Sequence, residues 1–376
     1  ELLGRVRTDL DVRRPINECS VAQQQVVEIA KALSFRSKVI VMDEPSATLT
    51  DRELTALFDL IRGLKKDGIG MIYISHRLEE IFEIGDRVTV MRDGQYIGTN
   101  DVAEVRRENI IHMMVGRELK DEFPKEQFEQ GEEVLRVEGL GIAGAFQDVS
   151  FSLHKGEIIG LTGLVGAGRT EVARAIFGAD RLQSGQIFLD KNPITVSSPQ
   201  DAIRQGIGLL TEDRKTQGLV LGMTVRENTT LANLNALVKF LFVDRGRERQ
   251  VTLKYVDDLR IKTPTIEQAA QNLSGGNQQK VVLAKWLFTG CRVLIFDEPT
   301  RGIDVGAKVE IYKLMNELVR NGVCILMISS ELPEVLGMCD RILVMHEGRL
   351  AGELPRAEAD QERIMRLATG ETLAVR

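Results

Sequence analysis

The chain has 376 residues, enough for two domains of ordinary size, and its 43% hydrophobic and 28% charged residues describe a globular protein rather than a disordered one. A net charge of −6 speaks for solubility and against a nucleic-acid partner, since such domains usually carry a basic stripe. No apolar run approaches the ~18 residues of a spanning helix and no signal peptide opens the chain, so in a membrane process another chain would do the spanning.

Cys19, Cys291, Cys324 and Cys339 form no CxxC pair and read as reduced core residues. The histidines, His76, His112, His154 and His346, are too scattered for a metal motif. In chain order, the first strong element is the apolar run Val39–Asp43, a buried strand ending in the Asp43 carboxylate with Glu44 behind it. Residues 70–75 form a second strand, which runs into His76. Residues 116–131 are charged, contain Pro124 and lack apolar periodicity, the composition of a linker. Residues 157–162 are a buried strand, 163–168 a glycine loop and 170–177 a helix, the context a phosphate-binding loop requires. Residues 244–249 are polar and read as a loop. Two more strands follow, Val293–Asp297 ahead of Glu298 and residues 323–329. Strands alternating with helical segments predict an α/β fold, a parallel sheet with helices on both faces. Ligands in such sheets sit at the carboxyl ends of the strands, where both Asp-Glu pairs and the glycine loop fall.

The chain repeats itself. Residues 43–98 and 297–352 match without a gap at 16 of 56 positions, at an offset of 254. The same offset lays Cys19-Ser20-Val21-Ala22 over Leu273-Ser274-Gly275-Gly276. So long a period means a duplicated domain rather than a solenoid. The counterpart of the glycine loop falls before the first residue, so about 120 residues of the first copy are expected to lie outside this chain. The expected organisation is 1–115 as the C-terminal part of a first domain, 116–131 as linker and 132–376 as a complete second domain.

Gly163-Leu164-Val165-Gly166-Ala167-Gly168-Arg169-Thr170 fits G-x-x-x-x-G-K-[ST] except that Arg replaces Lys. Glycines let backbone N–H groups turn toward phosphates, the following helix N-terminus adds its dipole, and the Thr170 hydroxyl can ligate Mg²⁺. Arg169 keeps the charge, but its planar fork differs from a lysine's point charge. Alone, the loop suits a plain glycine turn equally well. It is paired, however, with Asp297 as a Mg²⁺ ligand and Glu298 as a water-polarising carboxylate, against which a strand-terminal acidic cap is the simpler alternative. Ser274 precedes Asp297 by 23 residues, and Ser20 precedes Asp43 by the same 23. A serine there can cap a helix, and Gly275 and Gly276 bare its first N–H groups for an anion.

Together these residues resemble the ABC ATPases, a branch of the P-loop NTPase fold. Residues 273–279 resemble the family signature, Asp297-Glu298-Pro299-Thr300 its Walker B with the start of the D-loop, and Ser75-His76 its switch segment. Residues 211–215 (Thr-Glu-Asp-Arg-Lys) and 328–332 are similar to those of duplicated subunits that energise monosaccharide import in bacteria, of the ribose, galactose, arabinose and xylose group. The resemblance implies ATP and Mg²⁺ as cofactors and a peripheral position on the cytoplasmic face of the bacterial plasma membrane. It implies a transmembrane permease met by residues 200–229, a periplasmic or extracellular sugar-binding protein acting through that permease, and no nucleic acid. Because such domains pair head to tail, it also implies two composite sites. One joins Asp43, Glu44 and His76 to Ser274, Gly275 and Gly276. The other joins Arg169, Thr170, Asp297 and Glu298 to Ser20 in a signature that has lost both glycines. Ser330 stands in the second where the first has His76, and Glu212 where the family often has Gln, so the second site is expected to turn over poorly. Phe146 is a weak candidate for stacking on a base. A soluble duplicated ATPase acting on ribosomes or DNA, and a non-catalytic nucleotide-binding scaffold, are the rival readings.

Overall fold

The computed structural model describes residues 11–371 apart from 12, 20, 36, 47, 48, 50, 76, 93 and 116–122. It forms two compact units: unit 1 comprises Glu1–Lys120 with Asp304–Gly306, and unit 2 comprises Asp121–Ile303 and Ala307–Arg376. Ser20 and His76 lie outside the described residues.

In unit 1, β1 (Val39–Asp43) and β2 (Gly70–Ile74) pair in parallel, and β3 (Arg87–Arg92) and β4 (Gln95–Asp101) form an antiparallel hairpin. Helices Val21–Ser34 and Asp51–Lys66 supply Ile29, Leu33, Leu57, Leu60, Ile61 and Leu64 to a small core with Ile40 and Met42. The apolar positions of the second helix recur at the three- and four-residue spacing of one helical face.

Unit 2 holds the larger core. Its elements are β5 (Glu133–Ile142), β6 (Phe146–His154), β7 (Ile158–Gly163), β8 (Ser184–Leu189), β9 (Asn192–Ile194), β10 (Ile207–Leu210), the short hairpin β11 (Val238–Lys239) and β12 (Phe242–Val243), then β13 (Val293–Asp297), β14 (Cys324–Ile328), β15 (Arg341–His346) and β16 (Arg349–Pro355). A six-stranded sheet runs β10-β13-β14-β7-β15-β16, parallel throughout except for the terminal β15–β16 hairpin. All five residues of β13 and of β14 are buried, as expected of strands covered on both faces. A second, antiparallel sheet runs β6-β5-β8-β9. The expectation of a parallel sheet alone is therefore corrected. The period-two burial of Val149, Phe151 and Leu153 around Ser150 and Ser152 is the sequence signal for that antiparallel sheet.

One further expectation changes. Residues 245–249 are helical, not a loop: Asp244 caps helix Arg245–Asp258, accepting from the Arg247 N–H at 3.0 Å. The described part of the expected linker is docked on unit 2, where the Phe123 ring lies 5.6 Å from that of Tyr312 and Lys125 Nζ lies 2.7 Å from Asp340 Oδ2.

The element bounds of the two units keep one offset, from Val39–Asp43 and Val293–Asp297 through Asp51–Lys66 and Val305–Arg320 to Gln95–Asp101 and Arg349–Pro355. The difference lies between β2 and β3. In unit 2 the corresponding strands β14 and β15 both pair with β7. Among the described residues of unit 1 no strand fills that place, and Val39, Val41, Ile72 and Ile74 are 46–61% exposed where Val293, Ile295, Leu326 and Ile328 are at most 1% exposed.

Candidate functional site

The centre of the unit 2 sheet ends in the glycine loop. β7 stops at Gly163, whose φ of 150° and contact with the neighbouring strand admit no side chain, since a Cβ there would lie 2.3 Å from Met345 O. Gly168, at φ 95°, is the N-cap of helix Arg169–Ile176, which turns that helix's first N–H groups toward the loop. Leu164 and Val165 at the loop tip are exposed, and Ala167 is buried beneath it.

At the end of β13, Asp297 is 2% exposed, and Thr170 Oγ1 donates to its Oδ1 at 3.3 Å. Burial pushes its carboxyl up to about 6, against the opposing effects of Thr170 and Arg169. Glu298 follows at φ 48°, its N–H donating to Ile328 O at 2.9 Å. That left-handed backbone aims the carboxylate back over the loop, where burial raises it to about 7 while Arg169 and Ser330 hold it down. The Arg169 guanidinium lies 3.8 Å from Glu298 Oε1 and donates to Ser329 O at 3.1 Å. Ser330 Oγ donates to Glu298 Oε2 at 3.2 Å. The structure thus brings together Gly163, Gly166, Gly168, Arg169, Thr170, Asp297, Glu298 and Ser330.

Beside the loop lies a cavity of about 580 Å³ lined by residues 141–147, Gly166, Gln183, Ser184, Glu347 and Gly348. Phe146 lines it but is only 3% exposed, its ring committed to the core, so it offers little face for stacking on a base.

The second motif sits at another cavity, of about 280 Å³, with Arg214, Lys215, Gly275, Gln278 and Gly302 in its lining. Ser274 occupies the N-cap position of helix Gly275–Phe288, but its side chain caps no backbone N–H; it accepts from Asn277 Nδ2 at 2.9 Å. The expected serine cap is therefore corrected: the neighbouring Asn277 amide takes the hydroxyl. Gly276 packs so closely on Ala307 that a Cβ would lie 2.8 Å from its methyl, and a Cβ on Gly275 would lie 2.6 Å from Arg214 Nη2. Glu212 forms an ion pair with Arg301, in the loop that follows Glu298.

Sequence reasoning missed two groups here. Arg214 donates to Arg301 O at 2.9 Å, to Gly302 O at 3.1 Å and to Gln278 Oε1 at 3.3 Å, joining the loop after Glu298 to the helix that follows Ser274. Glu334, 1% exposed, accepts from Thr300 Oγ1 at 2.8 Å and from Ser329 Oγ, and burial raises its carboxyl. Its unit 1 counterpart Glu80, also 1% exposed, accepts from Ser75 Oγ at 2.8 Å and Tyr73 OH at 2.9 Å, with Arg77 3.2 Å from its other oxygen. The recurrence of one buried glutamate at the same offset was the available signal. In unit 1, Asp43 ends β1 and Glu44 repeats the left-handed turn of Glu298, at φ 45° with its N–H on Ile74 O at 2.9 Å.

Residues 146–301, which include the glycine loop, the Ser274 motif and the Asp297-Glu298 pair, match the ABC transporter family. The ribose import ATP-binding protein RbsA of Bacillus subtilis is 50% identical over 370 residues, 98% of this chain and 75% of its own length. This chain belongs to the ATP-binding subunits of ABC transporters. A putative ribose/galactose/methyl galactoside import ATP-binding protein of Agrobacterium fabrum is 53% identical over 370 residues, covering 98% of this chain and 73% of its own. Among solved structures, a nucleotide-free ATP-binding cassette from an ABC transporter aligns with a TM-score of 0.52 at 25% identity, over 60% of this chain and 92% of that one. The ADP conformation of another such cassette aligns with the same TM-score and identity over 62% and 93%. An ABC ATP-binding cassette is thus the fold of this P-loop NTPase, and Asp297-Glu298 and the loop at 163–170 lie at the carboxyl ends of its parallel strands.

Proposed function

We propose that this ABC subunit binds and hydrolyses ATP to energise import of a monosaccharide of the ribose or galactose type through a separate membrane permease. One observation carries the reading: the glycine loop, Thr170, Asp297 and Glu298 converge at the ends of β7 and β13, the two strands that flank β14, with Thr170 and Asp297 oxygens 3.3 Å apart. Import ATP-binding proteins as a class work with a permease and a solute-binding protein, at the inner face of the membrane. No helix among the described residues is long and apolar enough to cross a membrane.

The site residues fit the nucleotide. Gly166 and Gly168 expose N–H groups at a helix N-terminus, which favours phosphate. Thr170 and Asp297 offer two hard oxygens, the complement Mg²⁺ usually takes from protein when phosphates supply the rest. Held there, Mg²⁺ would offset charge on the phosphates. Residues 163–168 would bind the phosphates, and Arg169 would leave Ser329 O and Glu298 for the newly arrived negative charge. Glu298, released from that cation, would accept the proton of an attacking water.

Residues 1–115 are proposed as the C-terminal part of a first cassette and 132–376 as a complete second one. The shared offset of element bounds and the exposed apolar faces of β1 and β2 support this. The two sites are then unequal. Asp43, Glu44 and His76 are proposed for the first site and Arg169, Thr170, Asp297 and Glu298 for the second, where Ser330 bonds Glu298 in place of a switch histidine. The test is turnover in proteoliposomes carrying the permease of the same organism. ATP hydrolysis rising several-fold when a pentose-loaded binding protein is added supports the reading. Hydrolysis indifferent to the binding protein and to the permease contradicts it.

A further inference from the structure

The hairpin β11–β12 projects from unit 2 with an unusual tip. Val238 pairs with Val243 and Lys239 with Phe242, leaving Phe240 and Leu241 as the two turn residues. Phe240, Leu241 and Phe242 are 92%, 90% and 79% exposed. Burial normally claims side chains of this size, and three in a row facing solvent form a patch that calls for a partner. The backbone gives a second indication. Phe240 has φ 57°, at the first central position of a two-residue turn, where glycine is the residue without penalty. An aromatic residue there costs folding energy and improves nothing inside the fold.

The charges around the tip point to its partner. Lys239 lies within the hairpin, and Arg245, Arg247 and Arg249 follow it in the first turns of helix Arg245–Asp258. A helix N-terminus favours acidic residues, so this basic run works against the helix dipole. The acidic residues of the segment are already engaged. Asp244 caps the helix, and Glu248, 3% exposed, accepts from Arg226 and from Thr230 Oγ1. Arg245 lies 3.8 Å from Glu248 and also acts on Glu227, as Arg249 does on Glu267, while among the described residues no ion pair holds Lys239 or Arg247. In a chain of net charge −6, this is an apolar tip on a cationic base.

We infer that the hairpin is a membrane-surface contact: Phe240, Leu241 and Phe242 enter the headgroup–acyl boundary of a bilayer while Lys239, Arg245, Arg247 and Arg249 meet anionic lipid headgroups. Apolar insertion joined to electrostatic attraction is the physical basis of interfacial binding, and neither half alone gives a stable anchor. The inference goes beyond the transport reading, because a subunit held solely by a permease need touch no lipid. It also stands apart from nucleotide chemistry, since the tip belongs to neither cavity.

Vesicles without any permease test it. The 376-residue chain is floated with vesicles of phosphatidylcholine alone and of phosphatidylcholine with about 30% phosphatidylglycerol. Recovery with the anionic vesicles is expected, falling as salt rises. Phe240→Ser/Leu241→Ser/Phe242→Ser should weaken partitioning at least tenfold, and Lys239→Gln/Arg247→Gln should abolish the preference for anionic lipid. Because the tip side chains are exposed, these variants should keep the circular dichroism of the parent. A second readout uses Phe240→Trp. The single native tryptophan, Trp286, is 6% exposed, so a blue shift on adding anionic vesicles reports the tip. The inference is overturned if the chain stays with the soluble fraction, or if the triple-serine variant floats as well as the parent. It is equally overturned if the triple variant loses co-purification with the permease while its binding to lipid is unchanged, since the tip would then be a protein contact.

Discussion

Glu298 sits at φ 48° under Arg169 and Ser330, and its proton affinity is a handle on the site. Burial raises its carboxyl from 4.5 to about 7, so the folded chain retains a proton that the unfolded chain releases. The stability associated with this group is therefore complete below about pH 4.5 and is lost as pH rises through about 7. Glu298→Gln removes the penalty of the buried charge. The variant should exceed the parent by on the order of 1–3 kcal/mol at pH 8 and equal it near pH 4.5. Thermal unfolding of unit 2 at the two pH values measures this; a variant less stable at pH 8 would contradict the burial account. At this scale the glycine loop, Thr170, Asp297 and Glu298 were legible in the sequence, because phosphate chemistry fixes their spacing within short segments. Arg214 was not, because its partners Gln278, Arg301 and Gly302 lie 64, 87 and 88 residues away and are mostly backbone oxygens that any side chain could accompany. Ser274 was placed correctly at its helix start, yet the competing Asn277 amide is visible only once the helix is built.

Helices and strands were legible where burial is two-sided. β13 and β14 are unbroken apolar runs, and both read as strands from composition. The first turns of helix Arg245–Asp258 read as a loop because an exposed helix start with glycine and four charges carries no apolar stripe. Only the Asp244 cap marks it. Arg214 belongs to this scale too, since it ties helix Gly275–Phe288 to the loop that leaves Glu298. Arg214→Ala should destabilise unit 2 by about 1–3 kcal/mol, as three hydrogen bonds from one charged donor are lost. Arg214→Lys should recover less than half of that, because an ammonium cannot span two carbonyls and an amide as a fork does. Urea midpoints of the three proteins decide it, and an unshifted midpoint for Arg214→Ala would show that the fork contributes nothing.

On the scale of the whole molecule, the repeat was legible because both copies keep their strand-end chemistry, down to the left-handed glutamates Glu44 and Glu298 and the buried pair Glu80 and Glu334. The structure adds their consequence for packing. In unit 2 the strand β7 lies between β14 and β15, whereas the described residues of unit 1 leave that place open and β1 and β2 partly exposed. Among the described residues only unit 2 therefore joins a glycine loop to an Asp-Glu pair, and the central claim is that this unit holds Mg-nucleotide at residues 163–170. Calorimetric titration of the 376-residue chain with ATP tests it most directly, with and without Mg²⁺. The account predicts one nucleotide per chain, binding that tightens with Mg²⁺, at least tenfold weakening by Arg169→Ala, and no change from Glu44→Gln. Absence of binding by the folded chain, or binding that survives Arg169→Ala and is lost with Glu44→Gln, would contradict it.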